Sequence, residues 1–171
     1  MTSTYTGGCQ CGAIRFRVEG TLKDSSICHC RMCQKAFGHF YAPLVGVSDV
    51  QFAWTRGEPK FFHSSNYVKR GFCGNCGTPL SFEAPEGIGL AIGAFDEPGR
   101  VKPAKQFGVE AKIAYVDHLH ELPEQDTLDD ISTAPYLPDV ESYQHPDHDT
   151  TDWTPKSAPE PDHWRPKEQG V

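Results

Sequence analysis

Hydrophobic and polar residues alternate in short runs along the first 120 residues of this 171-residue chain. The clearest run has Ile14, Phe16 and Val18 separated by Arg15 and Arg17, which is the period-two pattern of a half-buried strand. Further candidate strands, with Gly, Pro, Asn and Asp between them, lie at residues 40–47, 50–54, 60–64, 69–72, 79–82, 89–94 and 104–108. A spacing of about ten residues is typical of a small all-β domain. The pattern therefore predicts a mainly β fold of short strands, with one two-turn helix at 31–37.

The composition changes near residue 121. The segment from there to the C-terminus contains 8 of the 14 prolines, 13 acidic residues and no cysteine, and its aromatic residues follow no period. Such a composition favours an extended or irregular chain. We therefore predict a β domain over residues 1–122 and an acidic, proline-rich, irregular extension over 123–171. Its aromatic residues would attach it to its own core or to a neighbouring subunit, and the second case would produce a homo-oligomer.

The net charge of −7 is distributed unevenly along the chain. Residues 1–120 have a net charge of +3, and residues 121–171 have a net charge of −10. Nucleic-acid binding requires a concentrated basic face, which the sequence lacks, so a small anionic ligand is the better expectation. No stretch approaches the roughly 18 apolar residues of a membrane span. Because the first eight residues are polar and no signal peptide follows, we expect a cytoplasmic protein whose thiols stay reduced.

The seven cysteines divide into a set of four and a set of three. We call the first set the four-cysteine cluster, and it consists of Cys9, Cys11, Cys73 and Cys76. A C-x-C pair and a C-x-x-C pair, each next to glycine, are typical of turns that direct two sulfurs to one zinc. A closed set of four sulfur ligands indicates a structural zinc, whose binding free energy becomes folding free energy. Buried free thiols or a redox pair are the alternatives.

The second set, which we call the three-cysteine cluster, consists of Cys28, Cys30 and Cys33. Three protein ligands leave one position of a tetrahedral zinc open, as in catalytic sites. Such a zinc is suited to hold a substrate thiolate as a nucleophile, so all three cysteines are candidate catalytic residues. His29 or His39 would instead complete a second structural site. Arg31 and Lys35, beside the run, are candidates to bind a ligand carboxylate.

Several stretches together resemble the glutathione-dependent formaldehyde-activating (GFA) family. They are Gly-Gly-Cys-Gln-Cys-Gly at 7–12, the run at 28–35, Trp-Thr-Arg-Gly-Glu-Pro at 54–59, and Arg-Gly-Phe-Cys-Gly-Asn-Cys-Gly-Thr-Pro-Leu at 70–80. The resemblance implies a Mss4-like β-tent of short antiparallel strands cross-linked by zinc. It also implies a structural zinc on the four-cysteine cluster and a catalytic zinc on the three-cysteine cluster. Where relatives often have His and Trp, this chain has Gln106 and Tyr115.

The family resemblance implies a carbon–sulfur lyase activity that joins glutathione to formaldehyde. For this chain we expect a low-molecular-weight thiol and a small aldehyde to combine at the three-cysteine zinc. Arg56 and Lys69 are additional candidates to bind carboxylates on the thiol. One alternative is a non-catalytic zinc module whose acidic tail, with Trp153 and Trp164, binds a partner. Another is a redox sensor based on the three-cysteine cluster.

Overall fold

The computed structural model describes residues 3–156 and is dominated by short strands. Residues 1–2 and 157–171, which include Trp164 of the predicted tail interaction, lie outside the described part. The described elements are β1 (Thr4–Gly8), β2 (Arg15–Glu19), β3 (Lys23–Cys28), α1 (Arg31–Phe37), β4 (Ala42–Gly46), β5 (Gln51–Arg56), β6 (Lys60–His63), β7 (Lys69–Phe72), β8 (Pro79–Ala84), β9 (Gly87–Ala91) and β10 (Lys105–Phe107). Short 3₁₀ turns, such as Ala114–Glu121, follow the last strand. The predicted mainly β fold is confirmed.

The strands form two sheets. The first has the order β1-β2-β5, and the second has the order β10-β3-β4-β9-β8-β7-β6. All neighbouring strands pair antiparallel except β10 and β3, which are parallel. Helix α1 follows β3 directly, because the chain turns at Cys30 and continues into the helix. The carboxyl end of β3 therefore presents the three-cysteine run at the junction between a sheet and a helix.

The core is formed by apolar residues from both sheets. Phe16 on β2 is fully buried, and its ring contacts those of Phe95 and Trp54 at centroid distances of 5.0 and 6.0 Å. Leu80 on β8 and Leu90 on β9 are fully buried in the same cluster. Burying large apolar side chains of this kind contributes about 1.5–3 kcal/mol each. This packing gives the cysteine turns a rigid base.

Each strand predicted from the pattern is present, with ends shifted by a few residues. The helix has the predicted bounds, Arg31–Phe37. The segment predicted as one strand at 89–94 divides into β9 and a 3₁₀ turn, Ile92–Ala94. Two strands were not predicted, β1 and β3. Their sequences, TYTGG and KDSSIC, are polar and lack a clear alternation, so their strand structure depends on pairing with neighbours.

The tail returns to the domain after residue 143. We call residues 145–153 the C-terminal clip. Its first residue, His145, is 3% exposed, and its backbone N–H donates to Gln10 O at 2.7 Å. At its other end, Trp153 Nε1 donates to Cys11 O at 2.8 Å. This part of the tail is therefore attached along its own core. Within residues 3–156, the length and hydropathy of every helix fall short of what crossing a membrane requires.

Candidate metal centres

The four-cysteine cluster joins two turns that are distant in sequence. Cys9 and Cys11 lie in the turn between β1 and β2, and Cys73 and Cys76 lie in the turn between β7 and β8. Their four sulfur atoms all lie within 4.8 Å of one another. Cys9 Sγ is 3.6 Å from Cys11 Sγ, which is 3.8 Å from Cys73 Sγ. No disulfide links them, so the four thiols are free to act as ligands.

The two turns have the same backbone design. Cys9 N donates to Ile14 O at 3.0 Å, and Cys73 N donates to Thr78 O at 2.9 Å. Each turn ends in a glycine with positive φ, Gly12 at +73° and Gly77 at +79°. Without a Cβ, glycine adopts this conformation at little cost. The glycines that follow the cysteines therefore allow each turn to fold its sulfurs inwards.

Polar hydrogens surround the sulfurs of this cluster. Ile14 N donates to Cys9 Sγ at 3.2 Å, and Thr78 Oγ1 lies 3.1 Å from Cys76 Sγ. Burial raises the pKa of Cys9 far above its ordinary value. Burial alone would raise the pKa of Cys76 as well, but hydrogen bonds from Thr78 outweigh it and lower that pKa to about 6. Without a cation, the four close sulfurs cannot all be thiolates at once, because their negative charges repel. A soft divalent cation would balance those charges, so the cluster is suited to bind one.

The C-terminal clip closes over the first of these turns. The rings of His145 and Trp153 contact each other with centroids 4.6 Å apart, directly above Gly12. Arg56 donates to Gly12 O at 3.0 Å and to Thr150 Oγ1 at 3.0 Å. The Arg56 guanidinium is therefore engaged with the clip rather than directed at the three-cysteine cluster. These contacts cover the first turn of the four-cysteine cluster, while Cys9 and Cys76 still line a small recess of about 410 Å³.

The three-cysteine cluster is built by the start of one helix. Cys28 ends β3, Cys30 is the N-cap of α1, and Cys33 lies in the first helical turn. The Cys30 sulfur accepts a hydrogen bond from Cys33 N at 3.4 Å, as an N-cap side chain does. The three sulfur atoms lie within 4.8 Å of one another. In residues 3–156, no His, Asp or Glu oxygen or nitrogen joins this group.

The two histidines considered as a fourth ligand lie elsewhere. His29 is fully buried, and its Nε2 donates to Gln106 Oε1 at 2.9 Å. Its backbone carbonyl accepts from Gln34 Nε2 at 2.8 Å, which fixes the residue between its two cysteine neighbours. The His39 ring contacts the Tyr41 ring at 4.8 Å. Gln106 therefore holds the His29 ring nitrogen, and neither histidine is part of the group of three sulfurs.

A buried arginine that sequence reasoning gave no role contacts this cluster. Arg70 on β7 donates from one terminal nitrogen to Cys33 Sγ at 3.4 Å. A hydrogen bond with Cys28, together with Arg70, lowers the pKa of Cys33 to about 5. The pKa of Cys28 lies well above its ordinary value, mainly because of the same hydrogen bond and secondly because of burial. The sequence places Arg70 three residues before Cys73 and in the predicted strand at 69–72, and neither feature indicates a contact with Cys33.

The three-cysteine cluster borders a cleft, whereas the other cluster borders only a smaller recess. The cleft has a volume of about 1220 Å³, and Cys28 and Cys33 are part of its wall. The wall also includes the apolar side chains of Leu44, Phe82 and Phe107 and the charged side chains of Lys23 and Lys105. Apolar walls with a few polar groups are typical of small-molecule sites. A ligand in this cleft would meet two of the three sulfurs.

The predicted carboxylate-binding residues lie outside the wall of this cleft. Arg31 and Lys35 are exposed on α1, and Arg31 donates to Gln34 Oε1 at 3.1 Å. Lys69 pairs with Glu83 at 2.9 Å and lies over the Phe61 ring at 4.1 Å. The assignment of Arg31 and Lys35 to a bound thiol stays a prediction.

The fold and these clusters define a small β protein with two cysteine centres that could hold metal ions, one with four sulfurs and one with three. The chain belongs to the glutathione-dependent formaldehyde-activating family, because the family model described as "Glutathione-dependent formaldehyde-activating enzyme" matches residues 4–111. The C-terminal clip lies beyond the matched residues. No curated protein matches the sequence.

One solved structure that matches is the crystal structure of a Rhodobacter sphaeroides protein, a structural genomics target. Its sequence is 20% identical, and the match covers 59% of this chain and 98% of that chain with a TM-score of 0.44. We base no conclusion on a likeness at this level.

Proposed function

We propose that the protein is a zinc-dependent carbon–sulfur lyase that reversibly joins a low-molecular-weight thiol, such as glutathione, to a small aldehyde. The observation that carries the proposal is the difference between the two clusters. One has four sulfurs, is covered by the clip at its first turn and borders a recess of about 410 Å³, and the other has three sulfurs and borders a cleft of about 1220 Å³. Membership in a family named for glutathione and formaldehyde supports this choice of substrates.

The residues of both clusters fit zinc. Sulfur-only donor sets of four and three favour a soft, tetrahedral ion over oxygen-seeking Mg²⁺ or Ca²⁺. We assign a structural zinc to the four-cysteine cluster, where a closed ligand set leaves no position for substrate. We assign a second zinc to Cys28, Cys30 and Cys33. Bound there, it would supply an open position at which a substrate thiol is held as the nucleophilic thiolate.

The reaction forms one bond and moves one proton. The substrate sulfur bonds to the carbonyl carbon, the thiol proton ends on the carbonyl oxygen, and the product is a hemithioacetal. The reverse reaction breaks the same bond, and neither direction needs an oxidant or a reductant. Holding both reactants in one cleft contributes to the rate by proximity.

The cleft wall combines apolar and charged side chains. Leu44, Phe82 and Phe107 form apolar wall, and Phe107 is the register partner of Cys28 in the β10–β3 pair. The charged lining residues are two lysines, of which Lys105 pairs with Asp24 at 2.9 Å, and four carboxylates, Glu19, Asp24, Asp49 and Glu86. The apolar wall suits the small aldehyde, and the carboxylates of the thiol are better accommodated outside the cleft. Arg31 and Lys35 remain the candidates for the carboxylates of a thiol that extends past α1. A cytoplasmic location belongs to the same proposal, because a reducing compartment keeps the seven cysteines as thiols.

The test is the rate of exchange between glutathione, formaldehyde and their adduct at equilibrium, measured by NMR exchange spectroscopy. Equilibrium exchange separates catalysis from the spontaneous addition of thiols to aldehydes. We expect the zinc-loaded protein to increase exchange in proportion to its concentration, and Cys30→Ser to abolish the increase. Met32→Ala, an exposed change in the same run, is the matched control and retains the activity. Exchange equal to that in buffer would refute the proposal.

A second candidate is a binding module, and a specific feature of the tail favours it. Large apolar residues are exposed along residues 122–143, and they are Leu122, Leu128, Ile131, Tyr136, Val140 and Tyr143. Exposed apolar groups among acidic ones suit a protein partner or a second copy of this chain. In that case, the exchange experiment would show no catalysis, while removal of residues 122–143 would change the oligomeric state or partner binding.

A further inference from the structure

Within residues 3–156, two arginines are buried, and their surroundings differ. Arg15 is 3% exposed and forms ion pairs with Asp96 at 2.5 Å and Asp149 at 2.9 Å. Arg70 is 7% exposed, and among the described residues no carboxylate lies within ion-pair distance of it. Glu83, on the adjacent strand, pairs with Lys69 instead. A buried guanidinium keeps its charge, so Arg70 needs an anion from another source.

The contacts of Arg70 identify that source. Its Nε donates to Ser64 Oγ at 3.1 Å, and one terminal nitrogen donates to Cys33 Sγ at 3.4 Å. The guanidinium lies over the Phe82 ring, 5.1 Å from its centroid. The other terminal nitrogen is buried and has no hydrogen-bond partner within the described protein. Two of the three groups that Arg70 contacts, Cys33 and Phe82, are part of the cleft wall, and Arg70 itself lies behind that wall.

We propose that Arg70 is a positioning residue, the counter-cation of the three-cysteine cluster, held behind the wall of the adjacent cleft. Three thiolates around a divalent metal would carry one net negative charge, and Arg70 would neutralise it. Ser64 and the Phe82 ring hold the guanidinium in place, so that it stays directed at Cys33.

This inference rests on the proposed function in one respect, the use of Cys28, Cys30 and Cys33 as metal ligands. It adds a residue to the site and predicts how the affinity for metal depends on a charge outside the ligand set. Groups that contact metal ligands from outside typically change metal affinity by about 10- to 100-fold when mutated. Lysine keeps the charge but lacks the fork that contacts Ser64 and Cys33 together.

The experiment is a chelator titration of folded protein that holds Co²⁺ at both clusters, under a phosphine reductant and without added thiol or aldehyde. The absorption of thiolate-bound cobalt reports each site, and Cys30→Ser identifies the signal of the three-cysteine cluster. For Arg70→Met we expect about 10- to 100-fold weaker binding at that cluster and unchanged binding at the four-cysteine cluster. Lys69→Met removes a charge from the adjacent position of the same strand and is the matched control. It leaves both affinities as in the wild type.

A second pair of variants covers the case in which Arg70→Met does not fold. Arg70→Lys and Arg70→Gln are both polar, and only the first keeps a positive charge. We expect the lysine variant to bind cobalt at the three-cysteine cluster about tenfold more tightly than the glutamine variant. Equal affinities in the two variants, or an affinity of Arg70→Met within twofold of the wild type, would overturn the proposal.

These outcomes are separable from failure of the proposed function. The cobalt titration needs no turnover, so loss of affinity in Arg70→Met with no catalysed exchange would reject the lyase reaction and keep the counter-cation. Catalysed exchange in the wild type, with unchanged cobalt affinity in Arg70→Met, would keep the lyase reaction and reject the counter-cation.

Discussion

The two cysteine clusters differ most in how far apart their members lie along the chain. The four-cysteine cluster joins turns separated by 62 residues, from Cys11 to Cys73. The three-cysteine cluster lies within a single turn from β3 into α1, between Cys28 and Cys33. Joining distant segments restricts the unfolded chain, whereas a local cluster does so very little. The first arrangement is suited to stability, and the second is the one to which the proposed function assigns the chemistry.

The clusters also differ in what surrounds them. Around the four-cysteine cluster, His145 and Trp153 of the C-terminal clip cover the first turn, with bonds to Gln10 and Cys11. Around the three-cysteine cluster, the surroundings are a cleft and a buried arginine, Arg70. A metal beneath the clip is expected to exchange slowly, and a metal at the cleft wall is expected to exchange its ligands more easily. The cluster with more sulfur ligands is therefore also the one that a ligand reaches less easily.

Replacing one cysteine of each cluster gives the largest expected effect. Cys76→Ser removes a ligand from the cross-link between distant turns, and metal binding at structural sites contributes about 10–16 kcal/mol. That exceeds or equals the total stability of about 5–15 kcal/mol for a typical domain, so we expect this variant not to fold. Cys30→Ser should keep the fold and lose one metal ion. Circular dichroism and metal analysis check both, and equal loss of fold would contradict the distinction.

The contact between the clip and the first turn predicts a smaller effect, measurable with two glycines. A Cβ at Gly12 would lie 2.3 Å from the His145 ring and 2.5 Å from the Trp153 ring, and its φ is +73°. Gly38 at the end of α1 has a similar φ of +59°, with open space around it. We expect Gly38→Ala to cost about 1–2 kcal/mol from backbone strain alone. Gly12→Ala adds a clash that costs about 1–3 kcal/mol more.

Urea unfolding measures both glycine variants. Equal losses of stability would mean that the clip does not rest on Gly12 in solution. A larger loss for Gly38→Ala would have the same meaning.

A single hydrogen bond gives the smallest expected effect. Trp153→Phe keeps an aromatic ring but removes the bond from Nε1 to Cys11 O, a loss of about 1 kcal/mol. We also expect faster release of zinc from the four-cysteine cluster to a chelator. Tyr143→Phe, at an exposed position just before the clip, is the control and leaves both quantities unchanged. Identical behaviour of the two variants would exclude a role of the clip in holding the metal.

Much of this architecture is visible in the sequence. The division of seven cysteines into four and three, and the helix Arg31–Phe37, both agree with the structure because they depend on local spacing. The family resemblance rests on the same motifs and is confirmed by the match to residues 4–111. Strands with alternating residues, such as β2, were also predictable. Local patterns are therefore sufficient for most elements and for each group of neighbouring cysteines, whereas the joining of two pairs across 62 residues was inferred from the four ligands that a structural zinc needs.

The features that sequence analysis missed all depend on contacts between distant residues. Strand β3 has few apolar residues and depends on pairing with β4 and β10. Arg70 resembles any surface arginine until the fold places it against Cys33, 37 residues away in sequence. Trp153 reaches Cys11 across 142 residues. Attachment of the tail to its own core was one of two predicted alternatives, but no periodicity or motif encodes such separations, so the contact partners of Arg70 and Trp153 were not predictable.

The sulfur count at zinc, measured by X-ray absorption with and without glutathione, tests the central claim most directly. Clusters of four and three cysteines predict an average of about 3.5 sulfur ligands per zinc in protein that holds two zinc ions. With glutathione, the average should rise to about four as a thiolate fills the open position. An average of four before the thiol is added, or no change afterwards, would contradict an open zinc at Cys28, Cys30 and Cys33.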